Sequence, residues 1–436
     1  MLGTVTLLIA LGVQIASFFY RAATKSWQHR AMRLIRIFSF AVFSLLLISG
    51  VYRWGFRWTG LFLLLAVSAV LGAVRLVRHP QKEKKFKVFS AALSCLSGCV
   101  LVSFCILPGI LFPQFSEVPP TGPFHADTQS VTLVDASRAD PYSKTVESRK
   151  LTVQFWYPAD TADVADVGTF PLIIFSHGAF GFRGSNLSTF EDLASNGYVV
   201  CSIDHSSHSF YARHTDGSAT LVNLDFLNDA INITNGAYDE KTSYDKSHEW
   251  LALRTADINF VLDEILHNGS GKIPKTVLSL IDPGKIGLFG HSLGGATAAQ
   301  LGRERSDVDA VAVIDGTMFG EEVAFVDGHP VLNETPYPVP LLNLYNEDHY
   351  AEARKLGTAY DNLAASAHTS EAYNAVIRGS GHLNFTDLPL FSPILARMLG
   401  TGQVDSRYCI ETMNQIVLKF FNHALKGMDL HLQTEY

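Results

Sequence analysis

The sequence predicts an α/β fold, a mostly parallel sheet flanked by helices, preceded by an all-α transmembrane bundle of about four helices. Three observations predict it. The 436-residue chain is split in charge: residues 1–112 carry thirteen Lys or Arg and one acid, Glu83, leaving 21 basic and 40 acidic residues for the remainder. Two parts so different in charge face different surroundings. The basic part holds four long apolar runs, and the acidic part alternates short apolar runs with helical stretches, the pattern of strands interleaved with helices.

The apolar runs at 2–20, 37–52, 58–74 and 88–112 contain no internal charge. A bilayer core takes about 20 apolar residues of helix, and shorter runs borrow flanking residues whose charged ends snorkel. Spans are therefore predicted over 2–20, 34–52, 58–77 and 88–112, making residues 1–112 a transmembrane region. A cleaved signal peptide would begin with a basic segment, and the first run does not. Arg21, Lys25, Arg30, Arg33 and Arg36 separate runs one and two, while Arg75, Arg78, Lys82, Lys84, Lys85 and Lys87 separate runs three and four. Basic loops stay cytoplasmic. Both termini and the acidic domain are thus expected on the extracytoplasmic side, in an integral membrane protein of the plasma membrane. Ser90, Ser94 and Gly98 recur at four-residue spacing, a stripe of small residues suited to helix packing.

Residues 113–128, with Pro113, Pro119, Pro120 and Pro123, read as a stiff linker. The domain proper is expected over 129–436. Strand-like runs fall at 131–134, 151–157, 171–175 and 198–203, with a helix over 187–196 between the last two. Asp204, His205, His208 and His214 follow. Without a second ligand cluster or a helical His-Glu-x-x-His they read as a solvated loop rather than a metal site, and no metal or other cofactor is expected. The polar stretch 209–247 reads as an insertion able to roof a pocket. Residues 249–267 form an amphipathic helix with Leu251, Ile258, Val261, Leu262 and Ile265 on its apolar side. A helix over 410–425 closes the domain.

The chemistry is expected around Gly290-His291-Ser292-Leu293-Gly294-Gly295, an apolar strand running through a sharp turn into a small-residue helix. Such a turn exposes the serine hydroxyl, while the helix N-terminus favours negative charge developing beside it. Ser292 is the candidate nucleophile. The strand 308–314 ends in Asp315, the candidate acid, with Glu347 and Asp348 after the next strand as alternatives. Gly381-His382 follows the last strand, and His382 is the candidate base. The glycine-bearing loop Ser176-His177-Gly178-Ala179 can turn backbone N–H groups toward the same centre. Ala179 and Leu293 are therefore the candidate oxyanion-hole donors.

With Phe175-Ser176-His177-Gly178, Gly290-His291-Ser292-Leu293-Gly294, Ile314-Asp315 and Ile377-Arg378-Gly379-Ser380-Gly381-His382, the chain resembles the platelet-activating-factor acetylhydrolase-like and bacterial lipase branch of the α/β hydrolases. The resemblance spans roughly residues 129–425. It implies an α/β-hydrolase catalytic domain, a Ser-His-Asp serine esterase acting on short or oxidised acyl chains without a metal, and an acid directly after the nucleophile helix and its following strand, favouring Asp315. Gly316-Thr317 and Ala179-Phe180 depart from the expected pattern, which bears on pocket width. A membrane-anchored hydrolase of small acyl esters, lipid-derived ones included, is expected. The same triad would also serve a peptidase, amidase or acyltransferase, and a membrane sensor or scaffold is the non-catalytic alternative. The acidic domain argues against nucleic acid as a partner. The sequence fixes no oligomeric state.

Overall fold

The computed structural model describes residues 2–78, 85–143, 147–159 and 168–436. Lys82, Glu83 and Lys84 of the second basic loop lie outside these. The chain divides into two units, Met1–Ser116 with Leu390–Ala396, and Glu117–Pro389 with Arg397–Tyr436.

The first unit contains the helices α1 (Leu2–Thr24), α2 (His29–Ile48), α3 (Phe56–Val77) and α4 (Val88–Leu111). At 1.5 Å per residue each reaches the thickness of a bilayer core, and each is apolar enough to cross one. Large apolar side chains such as Leu8, Phe38, Leu45, Phe89 and Phe104 face outward, which water would penalise and lipid would not. Inside, Phe43, Tyr52, Trp58, Leu61, Val102 and Ile106 pack together. Arg33 Nη1 donates to the Arg75 carbonyl over 2.6 Å, so the start of α2 and the end of α3 lie at one end of the bundle. The small-residue stripe is rotated from the expectation. Ser90 and Ser94 are exposed, and the side of α4 turned inward carries Ala91, Val102 and Ile106 instead. Gly98 does face a neighbour: a Cβ there would lie 2.7 Å from Gln14 Oε1.

The second unit opens with strands β1 (Ala126–Ala139), β2 (Ser148–Pro158) and β3 (Phe170–Ser176), then α5 (Leu187–Ser195) and β4 (Val199–Asp204). The expected insertion is a small hairpin, β5 (Tyr211–Arg213) and β6 (Ala219–Leu221), followed by α6 (Leu224–Thr234) and the long α7 (Glu240–His267). The short α8 (Lys275–Leu278) leads to β7 (Ile281–His291), α9 (Leu293–Glu304) and β8 (Ala310–Ile314). A second hairpin, β9 (Glu322–Val326) and β10 (His329–Leu332), precedes β11 (Leu341–Tyr345), α10 (Glu347–Leu356) and α11 (Asp361–Ala367). The chain ends through β12 (Ala372–Val376), α12 (Leu388–Phe391), α13 (Pro393–Leu399) and α14 (Ser406–Lys426).

The main sheet has eight strands in the order β1-β2-β4-β3-β7-β8-β11-β12. Only β2 runs against its neighbours; β4, β3, β7, β8, β11 and β12 are mutually parallel. Side chains alternate between the two faces, as a strand's period of two requires. Leu172, Ile174, Ile286, Leu288, Val311 and Val313 pack with α7 and α9 on one face. Ile173, Phe175, Phe289, Ala312, Ile314 and Leu344 pack with α5 and α14 on the other. The register pairs Ser176 with Gly290, His291 with Ile314, and Ile314 with Leu344, so the parallel strands end at a common edge. Ligand chemistry in open α/β sheets gathers at that edge.

The C-terminal part of the proline-rich stretch is bonded to the domain. The Thr121 N–H and hydroxyl both donate to Asp192 Oδ1 over 2.7 Å, and the Gly122 N–H donates to Ser195 Oγ over 3.0 Å. These contacts, with the Phe124 N–H on the Ser195 carbonyl over 3.1 Å, seat the stretch on the end of α5, whose last carbonyls lack an intrahelical partner.

Phe421 is fully buried between α14 and the sheet, beside Phe289. Truncating it leaves a cavity in a close-packed layer. Phe421→Ala is expected to cost about 3–5 kcal/mol, read as a lowered urea midpoint of the detergent-solubilised protein; an unchanged midpoint would show that α14 contributes little to the core.

Candidate active site

Ser292 stands between β7 and α9 with φ 56° and ψ −126°, a conformation that costs an ordinary side chain energy and persists only where its surroundings enforce it. Those surroundings are tight. A Cβ on Gly290 would lie 2.2 Å from the carbonyl carbon of Gly294, and one on Gly294 would lie 1.9 Å from the Ser176 oxygen, so only glycine fits at either position. The Ser292 N–H donates to the Ile314 carbonyl over 2.9 Å, fastening the turn to β8. Ser292 is half-buried, and its hydroxyl has no hydrogen-bond partner among the described residues.

Asp315 follows β8, also at positive φ (49°), with its N–H on the Leu344 carbonyl at 2.7 Å. Its carboxylate is buried and receives four donors. Asn346 supplies its backbone N–H over 2.8 Å and its side-chain amide over 2.6 Å. His382 Nδ1 meets Oδ2 at 2.6 Å, and His349 Nδ1 meets Oδ1 at 2.8 Å. Burial alone would raise its pKa, but hydrogen bonds from His349 and His382, with their charges, more than offset it and hold the group ionised well below the usual carboxylate range. The alternative acids are elsewhere. Glu347 pairs with Arg378 over 3.4 Å and accepts the Gly379 N–H over 2.9 Å, while Asp348 is exposed.

His382 lies in the loop after β12, with part of its ring open to solvent. Because Nδ1–H is committed to Asp315, Nε2 carries the free lone pair a base requires. The loop is fixed by Asn384, whose Oδ1 accepts the N–H groups of Gly381 and Gly402 over 2.9 and 2.8 Å. His291 packs at a tilt beside His382, 4.5 Å between centroids, and its Nε2–H donates to the His382 carbonyl over 3.0 Å. Burial, helped by the charge of His382, lowers the His291 pKa to about 3.

The loop after β3 passes directly beside the serine: a Cβ on Gly178 would lie 3.2 Å from Ser292 Cβ. Its orientation is set from behind by Arg254 of α7, a fully buried cation. The guanidinium donates to the carbonyls of His177 and Gly178, and His177 Nδ1–H also donates to the Gly178 carbonyl over 2.7 Å. A trans peptide points its N–H opposite to its C=O. With the Gly178 carbonyl held toward Arg254, the Ala179 N–H turns the other way, and no acceptor among the described residues takes it. Leu293 opens α9, where a helix leaves its first N–H groups unpaired.

Sequence reasoning missed Arg254 and the network below it. His205, His208 and His214 are not a solvated loop; all are buried. Burial is tolerated because each ring is satisfied. His205 Nδ1–H donates to Asp257 over 3.0 Å and its Nε2 accepts from Ser176 over 2.9 Å; His208 Nδ1 accepts from Arg254 over 3.2 Å. Asp257 also takes a bidentate pair of bonds from buried Arg149 at 2.8 and 2.7 Å. A signal existed: Arg254 falls between Leu251 and Ile258 on the side of the helix that buries Leu251, Ile258, Val261 and Ile265, where a charge is uncommon unless paired.

Burial pushes the pKa values of His177 and His208 well below normal and that of His205 to about 4. An unfolded histidine titrates near 6.5, so over this window the unfolded chain binds protons that the folded one refuses. Stability is expected to fall as pH drops below about 6.5, by about 1.4 kcal/mol per unit for each such histidine. Asp257 and Asp315, both depressed, hold stability that is lost only below about pH 4, while the buried Asp361 and Asp387, raised to about 8 and about 6, gain stability as pH falls and offset part of the histidine loss. Thermal unfolding between pH 7.5 and 5 checks this; a flat profile would contradict it.

Residues 159–435 match the family model for platelet-activating factor acetylhydrolase, isoform II. Similar curated proteins include the platelet-activating factor acetylhydrolases of Canis lupus familiaris and Bos taurus, each 27% identical over 275 residues that make up 59% of this chain and 57% of the relative. The corresponding protein of Cavia porcellus is 26% identical over 275 residues. The chain thus spans less than three-fifths of the length of these relatives. Among solved structures, a ferulic acid esterase from Streptomyces cinnamoneus superposes with a TM-score of 0.53 at 22% identity, over 72% of this chain and 93% of that one. That likeness speaks for the α/β-hydrolase fold, in agreement with the sheet order. By the extent of the family match, the chain belongs to the platelet-activating factor acetylhydrolase, isoform II family.

Proposed function

We propose that the chain is a membrane-anchored serine ester hydrolase in which Ser292 attacks, His382 is the base, Asp315 the acid, and the N–H groups of Ala179 and Leu293 hold the oxyanion. The observation that carries this is the meeting, at one sheet edge, of a serine on a strained turn, a histidine whose Nδ1 is 2.6 Å from a buried carboxylate, and a loop packed against the serine Cβ. Family membership supports it, since its named relatives are acetylhydrolases.

The groups act in sequence. His382 Nε2 takes the Ser292 proton as the oxygen attacks the ester carbonyl, and Asp315 stabilises the imidazolium and fixes its tautomer. Two N–H groups stabilise the tetrahedral oxyanion, and one such donor is typically worth about 100- to 1000-fold in turnover. The imidazolium then protonates the leaving alcohol. Water, activated by the same histidine, releases the acid from the acyl-enzyme.

Beside the oxyanion donors, Phe226, Trp250 and Leu293 form a buried cluster against which Ala179, Phe180 and Phe319 pack. Bulky aromatics beside the donors favour a short acyl group, as do the acetylhydrolase names of the relatives, so the substrate class is read as a small acyl ester, of a phospholipid such as platelet-activating factor or of similar build. The four apolar helices fit membrane association. With Arg33 and Arg75, which flank the two basic loops, at one end of the bundle, the positive-inside bias sends the C-terminal unit to the extracytoplasmic side of the plasma membrane.

Membranes carrying the protein should hydrolyse p-nitrophenyl acetate and butyrate in preference to the octanoate, and Ser292→Ala should abolish the activity at least about 1000-fold. Equal hydrolysis by wild type and the variant on every ester would refute the assignment.

A further inference from the structure

The Asp315 carboxylate serves two imidazoles, and the mechanism uses only one. His349, on the first turn of α10, places Nδ1 at 2.8 Å from Oδ1, while His382 occupies Oδ2 at 2.6 Å. Behind His349 the chain of bonds continues. Its Nε2 is 2.5 Å from the Tyr360 hydroxyl, which is itself 3.2 Å from Thr317 Oγ1. The directions follow from the donors available. A carboxylate only accepts, so His349 carries its proton on Nδ1; its Nε2 then accepts from Tyr360 O–H, and Tyr360 accepts from Thr317. Each donation sharpens the next, and all end on Asp315. His349 is itself held in place, since its N–H donates to Asn346 Oδ1 over 2.9 Å and its ring meets Tyr345 edge-on at 5.0 Å.

We propose that His349, polarised by Tyr360, is a positioning residue for the reaction: it locks the Asp315 carboxylate and draws off part of its charge, setting the pH above which His382 acts as base. This rests on the assignment of Ser292, Asp315 and His382 given above. The sign follows from electrostatics. A donor on Oδ1 weakens Oδ2 as an acceptor, and so lowers the stability of the His382 imidazolium relative to the neutral ring.

Other titratable groups around the pair do not cloud the reading. His291, packed against His382, is kept neutral by burial, and Cys409, which senses Asp315, has its thiol pushed up by burial to about 12. Tyr345 is raised far above its usual value by burial. Near Tyr360, burial lifts Asp361 to about 8 and raises Glu322, so Asp361 is mostly uncharged on the acid side of neutrality.

The test is the kcat/KM profile for p-nitrophenyl acetate from pH 5 to 8, for wild type, His349→Phe, His349→Gln, Tyr360→Phe and Ser292→Ala. Losing the His349 donor should move the acid limb up by roughly half to one pH unit. Tyr360→Phe should move it the same way by less. His349→Gln, which restores an N–H donor without a titrating ring, should return it toward wild type. Should His349→Phe fail to fold, Tyr360→Phe and His349→Gln still decide the matter. An acid limb unmoved in the variants that fold, with only kcat/KM lowered, would overturn the proposal and leave His349 a structural residue. A limb displaced as far by His349→Gln as by His349→Phe would overturn it too. Activity surviving in Ser292→Ala would bring down the underlying assignment, which is a separate failure from an unmoved limb.

Discussion

The structure of the second unit depends on one steric constraint, the passage of β7 into α9 through a turn with no room for side chains around Ser292. The turn is squeezed between the end of β3, whose Ser176 oxygen would lie 1.9 Å from any Cβ on Gly294, and the end of β8, whose Gly316 would place a Cβ 2.5 Å from the Ser292 oxygen. The sheet itself supplies the compression. Parallel strands in register bring their ends to a common edge, and helix α9 must dock onto the same sheet within a residue or two. The serine is strained because its neighbours are rigid, and strain of this kind clusters at functional sites.

A second constraint works from below. Burying several histidines, two arginines and an aspartate is costly unless every polar atom finds a partner. Here the partners are arranged so that satisfaction also fixes geometry. Asp257 holds Arg149 and His205, His205 holds Ser176, and Arg254 holds the two carbonyls of the loop that flanks the serine. The loop's free N–H is thereby aimed by charges that never touch a substrate. Such preorganisation is where electrostatic catalysis is expected to originate, since dipoles fixed in advance need no reorganisation during reaction.

Much of this was legible in the residues alone. The Gly-x-Ser-x-Gly turn, the acid after the next strand and the histidine in the last loop are local signals, because each is set by chain conformation within a few residues. The four apolar helices were equally plain. What sequence did not disclose depends on distant pairing. The histidines after β4 look like a solvated loop until Arg149 from β2 and Asp257 from α7 are brought beside them. His349 carries no periodic signal at all, and its place on Asp315 emerges only once α10 packs over the sheet edge. Arg254 lies between these cases, visible as a charge on an apolar helix side but without a partner that spacing could name.

The central claim is that the hydroxyl on the strained turn is the reacting nucleophile. Treating the protein in membranes with a fluorophosphonate ester, then mapping the modified peptide by mass spectrometry, tests it without any assumption about the natural ester. The account predicts a single adduct on Ser292, lost when the protein is first unfolded. Labelling of a different residue, or none while the folded protein hydrolyses esters, would contradict it.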